Sequence, residues 1–173
     1  MEQQGIEIRL VDQYSALDRL ALSGGDDDPA QVSSLGLVWL PKTHHLLVCR
    51  DGTVVAHVGF VLQTVFVEAR SIRVAGIGGV LTRRDCRGQG LGAIGMKAVE
   101  DLIRRERMAP FGMLFCREQL QSWYERLGWS LVPEPVWFDQ PQGVRQSPMV
   151  VMVKCFNGED WPAGEVRIRS LPW

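Results

Sequence analysis

The spacing of apolar positions changes along the chain, and each change marks an element. "IEIRLV" (Ile6–Val11) alternates apolar and charged residues, the period of a half-buried strand. "SALDRLAL" follows, with Leu17, Leu20 and Leu22 at helical spacing. "HHLLVCRDGTVVAHVGFVL" is two strand-like runs around Asp51-Gly52, a dipeptide that predicts a hairpin. "ARSIRVAGIGGVLT" predicts a further strand, entered through a turn near Glu68–Ala69. From Leu91 the period becomes helical. Leu91, Ile94, Ala98, Leu102 and Ile103 make one stripe, Lys97, Glu100, Arg104 and Arg105 lie largely off it, and the helix ends before Pro110. "FGMLFC" (Phe111–Cys116) is uniformly apolar and reads as a fully buried strand, a parallel neighbour of the strand ending at Thr82. "EQLQSWYERLGW" is a short helix stopped by Gly128, and "SPMVVMVKC" is a long strand. The order is β-α-(α)-β-β-β-α-β-α-β, an α/β chain. The stretch from the acidic "SGGDDDPA" loop to Leu40 is ambiguous, and the tail "NGEDWPAGEVRIRSLPW" is either a loosely attached extension or an added strand.

Composition narrows the setting. The 173 residues suit one domain, 1–173, with 156–173 as a C-terminal extension, and 46% hydrophobic residues suffice for a core. A net charge of -1 gives no bulk attraction to nucleic acid or to an acidic membrane. "MEQQGIEIRL" lacks the basic head and apolar run of a secretory signal, and no stretch approaches ~18 uninterrupted apolar residues. Cys49, Cys86, Cys116 and Cys155 form no CxxC pair and read as reduced thiols of a cytoplasmic protein. Only His44, His45 and His57 could join them as ligands, so no metal is expected.

The candidate chemistry lies in "RRDCRGQGLGAIG" (Arg83–Gly95). A phosphate-binding P-loop needs Gly-Lys-Ser/Thr, which is absent. A dinucleotide G-x-G-x-x-G is present at Gly90, Gly92 and Gly95, with Glu118 at roughly the distance of its acidic partner, but "TRRDCR" separates it from the strand that should lead directly into it. The reading that fits is an anion nest. Backbone N–H groups over Gly88–Ala93 are exposed for want of side chains, the helix dipole adds partial positive charge, and Arg83, Arg84 and Arg87 surround them. Glycine costs ~1 kcal/mol in a helix's first turns, an expense that argues for close approach of a diphosphate rather than a bare turn.

"VLTRRDCRGQGLGAIGMKAVE" resembles motif A of the GCN5-related N-acetyltransferases, Arg/Gln-x-x-Gly-x-Gly/Ala, filled by Arg87, Gly90 and Gly92. "WYERLGW" (Trp123–Trp129) resembles their second signature, and the core resemblance covers the chain from about Ile6 to Cys155. The resemblance implies a central mixed, mostly antiparallel sheet, splayed at the cofactor site and flanked by helices. It also implies acetyl-CoA as co-substrate. The implied contacts are the main chain of Val80, Leu81 and Thr82 on the pantetheine arm and thioester oxygen, and Arg87, Gly88, Gln89, Gly90, Leu91, Gly92 and Ala93 on the diphosphate.

Tyr124 is the implied general acid, against the alternative of a core aromatic. The base is open: Glu68, Glu118, Asp139 and His57 are candidates, each with a structural alternative. A narrower resemblance, to the aminoglycoside 2'-N-acetyltransferases, rests on "DGTVVAHVGFVLQTVFV", the glycine loop, "WYERLGW" and the "DWPAGEV" tail. It implies a small, polycationic amine met by Asp26, Asp27, Asp28 and Trp173. That group carries a glutamate, a candidate base, two positions before Val80; here the residue is Gly78. Two further functions stay open: a coenzyme A-binding module without transfer, and acetylation of a protein or peptide amine. The resemblance leaves a homodimer open.

Overall fold

The Asp51-Gly52 turn sets the sheet. In the computed structural model, which describes residues 5–173, both turn residues have positive φ, 50° and 77°. That backbone matches the right-handed twist of two directly joined strands. They are β2 (His44–Arg50) and β3 (Thr53–Val67), and β1 (Ile6–Val11) adds antiparallel to the outer edge of β2. β3 is 15 residues long and outruns β2. It turns at Glu68 and returns as β4 (Arg70–Thr82).

β4 pairs parallel with β5 (Phe111–Cys116), as the intervening helix α2 (Leu91–Arg105) requires. Beyond β5 come β9 (Val150–Cys155) and β6 (Ser130–Leu131), both antiparallel. The sheet is therefore mixed and mostly antiparallel.

The far end of β3 is covered from a direction that local patterns do not reveal. β10 (Val166–Ile168) pairs antiparallel with β3 and parallel with β7 (Val136–Gln140), which forms a hairpin with β8 (Gly143–Gln146). The chain after Cys155 thus supplies an interior strand of the sheet and is not loosely attached. β7 and β8 escape sequence reading because they are short and lie among Pro133, Pro135, Pro141 and Pro148.

α1 (Ala16–Ser23) starts at Ser15, whose hydroxyl accepts from Asp18 N at 3.0 Å. Its expected leucine stripe is not a buried one. Leu17 and Leu20 are exposed, and only Leu22 packs, against Leu47, Cys49 and Val54. Eight residues offer too few turns for a wider face.

α2 supplies the main helix–sheet contact. Met96, Val99 and Ile103 bury against Val48, Val58, Phe60 and Ile77, each side chain contributing about 1.5–3 kcal/mol. The approach is close: a methyl on Gly95 would stand 3.0 Å from Val58 Cγ2. α3 (Gln121–Arg126) ends as predicted, with Gly128 at φ 85°. A second core on the opposite face holds Val65, Val74, Phe111, Phe138, Ile168 and Trp173. Among the described residues no helix is long and apolar enough to cross a membrane.

Candidate active site

β4 and β5 are hydrogen-bonded only from Val74 to Ile77, opposite Phe111 to Leu114. Past those pairs the strands part, although β4 runs on to Thr82 and β5 to Cys116. A bulge accompanies the parting. Gly78 faces Gly59 and Leu81 faces His57, so Gly79 and Val80 stand against Val58 alone. Two residues opposite one bend the longer strand and increase its twist. Gly79 takes φ 60°, which a side chain would disfavour, and its carbonyl accepts from His57 Nδ1 at 2.6 Å.

His57 is fixed at both nitrogens. With Nδ1 donating to Gly79, Nε2 accepts from His45 Nδ1 at 2.9 Å. Burial is the main cause of a His57 pKa of about 4, so the ring is neutral at physiological pH. It supports the bulge from behind and does not line the cleft.

The parted strands open a cleft of about 840 Å³. One wall is Gly78–Thr82 of β4 and the other is Phe115 and Cys116 of β5 with Trp123 and Tyr124 of α3. The rim at one end is the start of α2. Gly90 caps that helix at φ 76° with no side-chain bond, so the first N–H groups, from Leu91 to Ala93, lack intrahelical acceptors, and these three residues line the cleft. Gly92 lies close under Thr82, whose Oγ1 would be 3.2 Å from an added methyl.

Of the residues expected to hold a diphosphate, Arg87, Gly88, Gly90, Leu91, Gly92 and Ala93 line the cleft. Gln89 does not; its amide donates to Asp85 O at 3.3 Å. Of the three arginines only Arg87 reaches the cleft, its Nε donating to Thr82 O at 3.2 Å. Arg83 is paired with Asp85 at 2.7 Å.

Tyr124 is buried and lines the cleft beside Cys116. Burial, and secondarily Cys116, raises its pKa, so the phenol keeps its proton at neutral pH. The Cys116 thiol, pushed up to about 11 by burial, is likewise protonated and a poor nucleophile.

The carboxylate candidates lie elsewhere. Glu68 accepts from Glu165 N at 2.9 Å, Asp139 pairs with Arg167, and Glu118 sits in a short 3-10 turn outside the cleft wall. The acidic loop is also placed differently from expectation. Asp28 accepts from Val32 N and Ser33 N at 2.8 and 2.9 Å, and hydrogen bonds from Ser33 chiefly lower its pKa. Asp26 accepts from Asp28 N at 2.9 Å. These carboxylates shape their own turn, and Asp26, Asp27 and Asp28 are absent from the cleft wall. Trp173 does line it. Its buried indole lies flat over Gly76 and donates to Met113 O at 3.2 Å.

One cleft residue has no sequence signal at all. Lys42, in the approach to β2, lays its side chain across the paired glycines of β3 and β4. A methyl on Gly59 would fall 2.6 Å from Lys42 Cγ, and one on Gly78 2.6 Å from Cε and 3.1 Å from Nζ. A side chain at position 78 would collide with it, so Gly78 leaves the room that Lys42 fills. Burial brings its pKa down to about 8. Together with Arg87 and Arg117 it is one of three charged side chains in the cleft wall, none of them a carboxylate. Among the described residues no group of three or more His, Cys, Asp or Glu side chains could hold a metal ion.

A cleft between two parted strands, with a glycine-capped helix start at its rim, is the site arrangement of an acyltransferase fold. Residues 13–129 match the acetyltransferase (GNAT) family, and the chain belongs to it. An aminoglycoside 2'-N-acetyltransferase from Mycolicibacterium fortuitum is 30% identical over 104 residues, 60% of this chain; the match spans about half, 52%, of that relative. The fold is shared with the GNAT family N-acetyltransferase YhbS of Escherichia coli, solved in complex with CoA, at a TM-score of 0.63 and 19% identity over 95% of this chain and 90% of that one. It is shared too with a GNAT family acetyltransferase from Brucella melitensis, in complex with acetyl-CoA, at 0.54 and 15% over 92% and 94%.

Proposed function

We propose that the chain transfers an acetyl group from acetyl-CoA to the primary amine of a small acceptor. The observation that carries this is the coincidence, in one cleft, of a β4 edge released from β5 and a helix start with unbonded N–H groups. The fit is chemical as well as spatial. The N–H groups of Leu91–Ala93, with the helix dipole and Arg87, suit a diphosphate. The main chain of Val80, Leu81 and Thr82 lines the released edge, where N–H donors would hold the pantetheine arm and polarise the thioester carbonyl. Tyr124, protonated and within the cleft, is the donor to the departing thiolate.

No carboxylate side chain in the wall stands ready to deprotonate the acceptor. The amine then enters neutral or gives its proton to water. The finer reading, a polycationic acceptor of the aminoglycoside type, is supported by the Mycolicibacterium fortuitum relative alone, since the cleft side chains add no negative charge.

Coenzyme A is expected to raise the melting temperature, with ~2.7 kcal/mol of stabilisation at ~100 times the dissociation constant. Gly90→Asp, which sets an anion and a side chain where φ is 76°, should abolish that shift. The absence of any shift for the unaltered protein at millimolar coenzyme A would end the reading. Release of free thiol with a panel of amines then separates a transferase from a module that only binds.

A further inference from the structure

We infer that Lys42 is itself an acetyl acceptor, so that the protein acetylates its own cleft when acetyl-CoA is present without a second amine. The inference rests on the reading of the cleft as an acetyl-CoA site. Its geometric basis is the glycine pair. Gly59 and Gly78 face one another across β3 and β4, and only because both lack side chains can Lys42 lie over them, ending with Nζ in the same cleft as Val80, Leu81 and Tyr124. Among the described residues, Nζ takes part in none of the side-chain hydrogen bonds or ion pairs. It is a primary amine, the class of group that the proposed reaction consumes, and it is tethered where an acceptor has to enter.

The protonation state favours attack. Burial holds the amine near a pKa of about 8, so that about a tenth is neutral at pH 7, far more than for a solvated lysine. Two of the ionisable groups around it carry no charge. His45 and His57, on the strands beneath, are both shifted downward by burial first and are neutral at that pH. The backbone carbon of Trp173 lies 3.4 Å, and Nζ 3.1 Å, from the one point where a Gly78 methyl would sit, so a carboxylate at that position favours the ammonium and opposes the effect of burial.

The step balances without another reactant. Neutral Nζ attacks the thioester carbonyl carbon, the N–C bond forms as C–S breaks, and the proton lost from nitrogen makes up the one needed by the departing thiolate. The products are N-acetyl-Lys42 and free coenzyme A.

The sequence provides its own controls, because the chain has only three lysines. Lys97 is on the exposed face of α2, with 76% of its side chain accessible. Lys154 is held at 2.6 Å by both Glu100 Oε2 and Leu127 O. Uncatalysed acetylation in solution would therefore favour Lys97. The full-length protein is incubated with acetyl-CoA alone, sampled over time, digested and mapped by mass spectrometry. Lys42 is expected to gain one acetyl group at least about ten-fold faster than Lys97, because it lines the cleft in which the proposed reading seats the thioester. The rate should rise with pH and level off above about 8. Gly90→Asp should slow Lys42 without affecting Lys97, and Lys42→Arg should remove the fast phase.

Acetylation of Lys97 at an equal or greater rate, or an unmodified Lys42, overturns the inference. So does a Lys42→Arg variant that loses transfer to an added amine when the unaltered protein never modifies Lys42, since the lysine then serves another role. A coenzyme A thermal shift measured in parallel separates the two levels. Binding without Lys42 acetylation removes this inference alone, whereas no binding removes the acetyltransferase reading with it.

Discussion

Tyr124 has its ring wedged between those of Trp123 and Trp129, at centroid separations of 4.7 and 6.4 Å, so its orientation is decided by packing and its use by the hydroxyl. Tyr124→Phe keeps the packing and removes the oxygen. Turnover should fall ~10²–10⁴-fold with little change in the KM for acetyl-CoA. Unchanged turnover under conditions where chemistry limits the rate would leave the residue with packing alone. Lys42 carries a different signature, in stability. Its folded pKa of about 8 is below its ordinary value of 10.5, so between those values the unfolded chain binds more protons and stability rises with pH. The penalty is present in full below pH 8 and is relieved toward pH 10.5. Lys42→Met should therefore stabilise the protein at pH 7, by on the order of 3 kcal/mol, and much less at pH 10.5. Urea unfolding of both proteins at the two pH values checks this. Titration of Cys116 and Tyr124, common to both, cancels in the difference, and an equal gain at both pH values would contradict the assignment of burial as the cause.

At the scale of elements, one buried carboxylate ties two of them to the turn that follows α3. Glu100 of α2 accepts from Trp129 Nε1 at 2.8 Å, just beyond α3, and from Lys154 Nζ of β9 at 2.6 Å. Glu100→Ala leaves an ammonium and an indole N–H without their acceptor, and is expected to cost ~3–5 kcal/mol by denaturant unfolding. A loss under 1 kcal/mol would mean that water takes over both bonds. Elements whose cause is local were legible in the sequence. The Asp51-Gly52 turn needs only its own backbone preference, and α2 only its stripe of Leu91, Ile94, Ala98, Leu102 and Ile103. Its glycine cap stood out for the same reason, since the missing side chains are adjacent in the chain. The Lys42 platform did not stand out. Gly59 and Gly78 become neighbours only in the β3–β4 register, and that register slips at the Gly79–Val80 bulge, which no alternation pattern announces. β10 was legible only as one of two alternatives for the tail, because three residues carry no period, and what places them is the β3 edge left open beyond β2.

The whole molecule is closed by a distant pairing. β3 meets β4 through a two-residue turn, but it meets β10 only after roughly a hundred intervening positions, and ring closure over such a span is entropically costly and slow. Trp173, seated on Gly76 beneath the cleft, belongs to that late partner. Time is therefore built into the site: the hairpin and α2 can assemble from nearby contacts while the ground under the cleft is still missing. Rapid dilution from urea should return helical circular dichroism ahead of coenzyme A binding, and simultaneous return would show that the scaffold cannot stand without its C-terminal strand. During that interval the newly collapsed chain has its anion-binding helix in place above an unfinished floor, and would remain indifferent to a ligand already present around it.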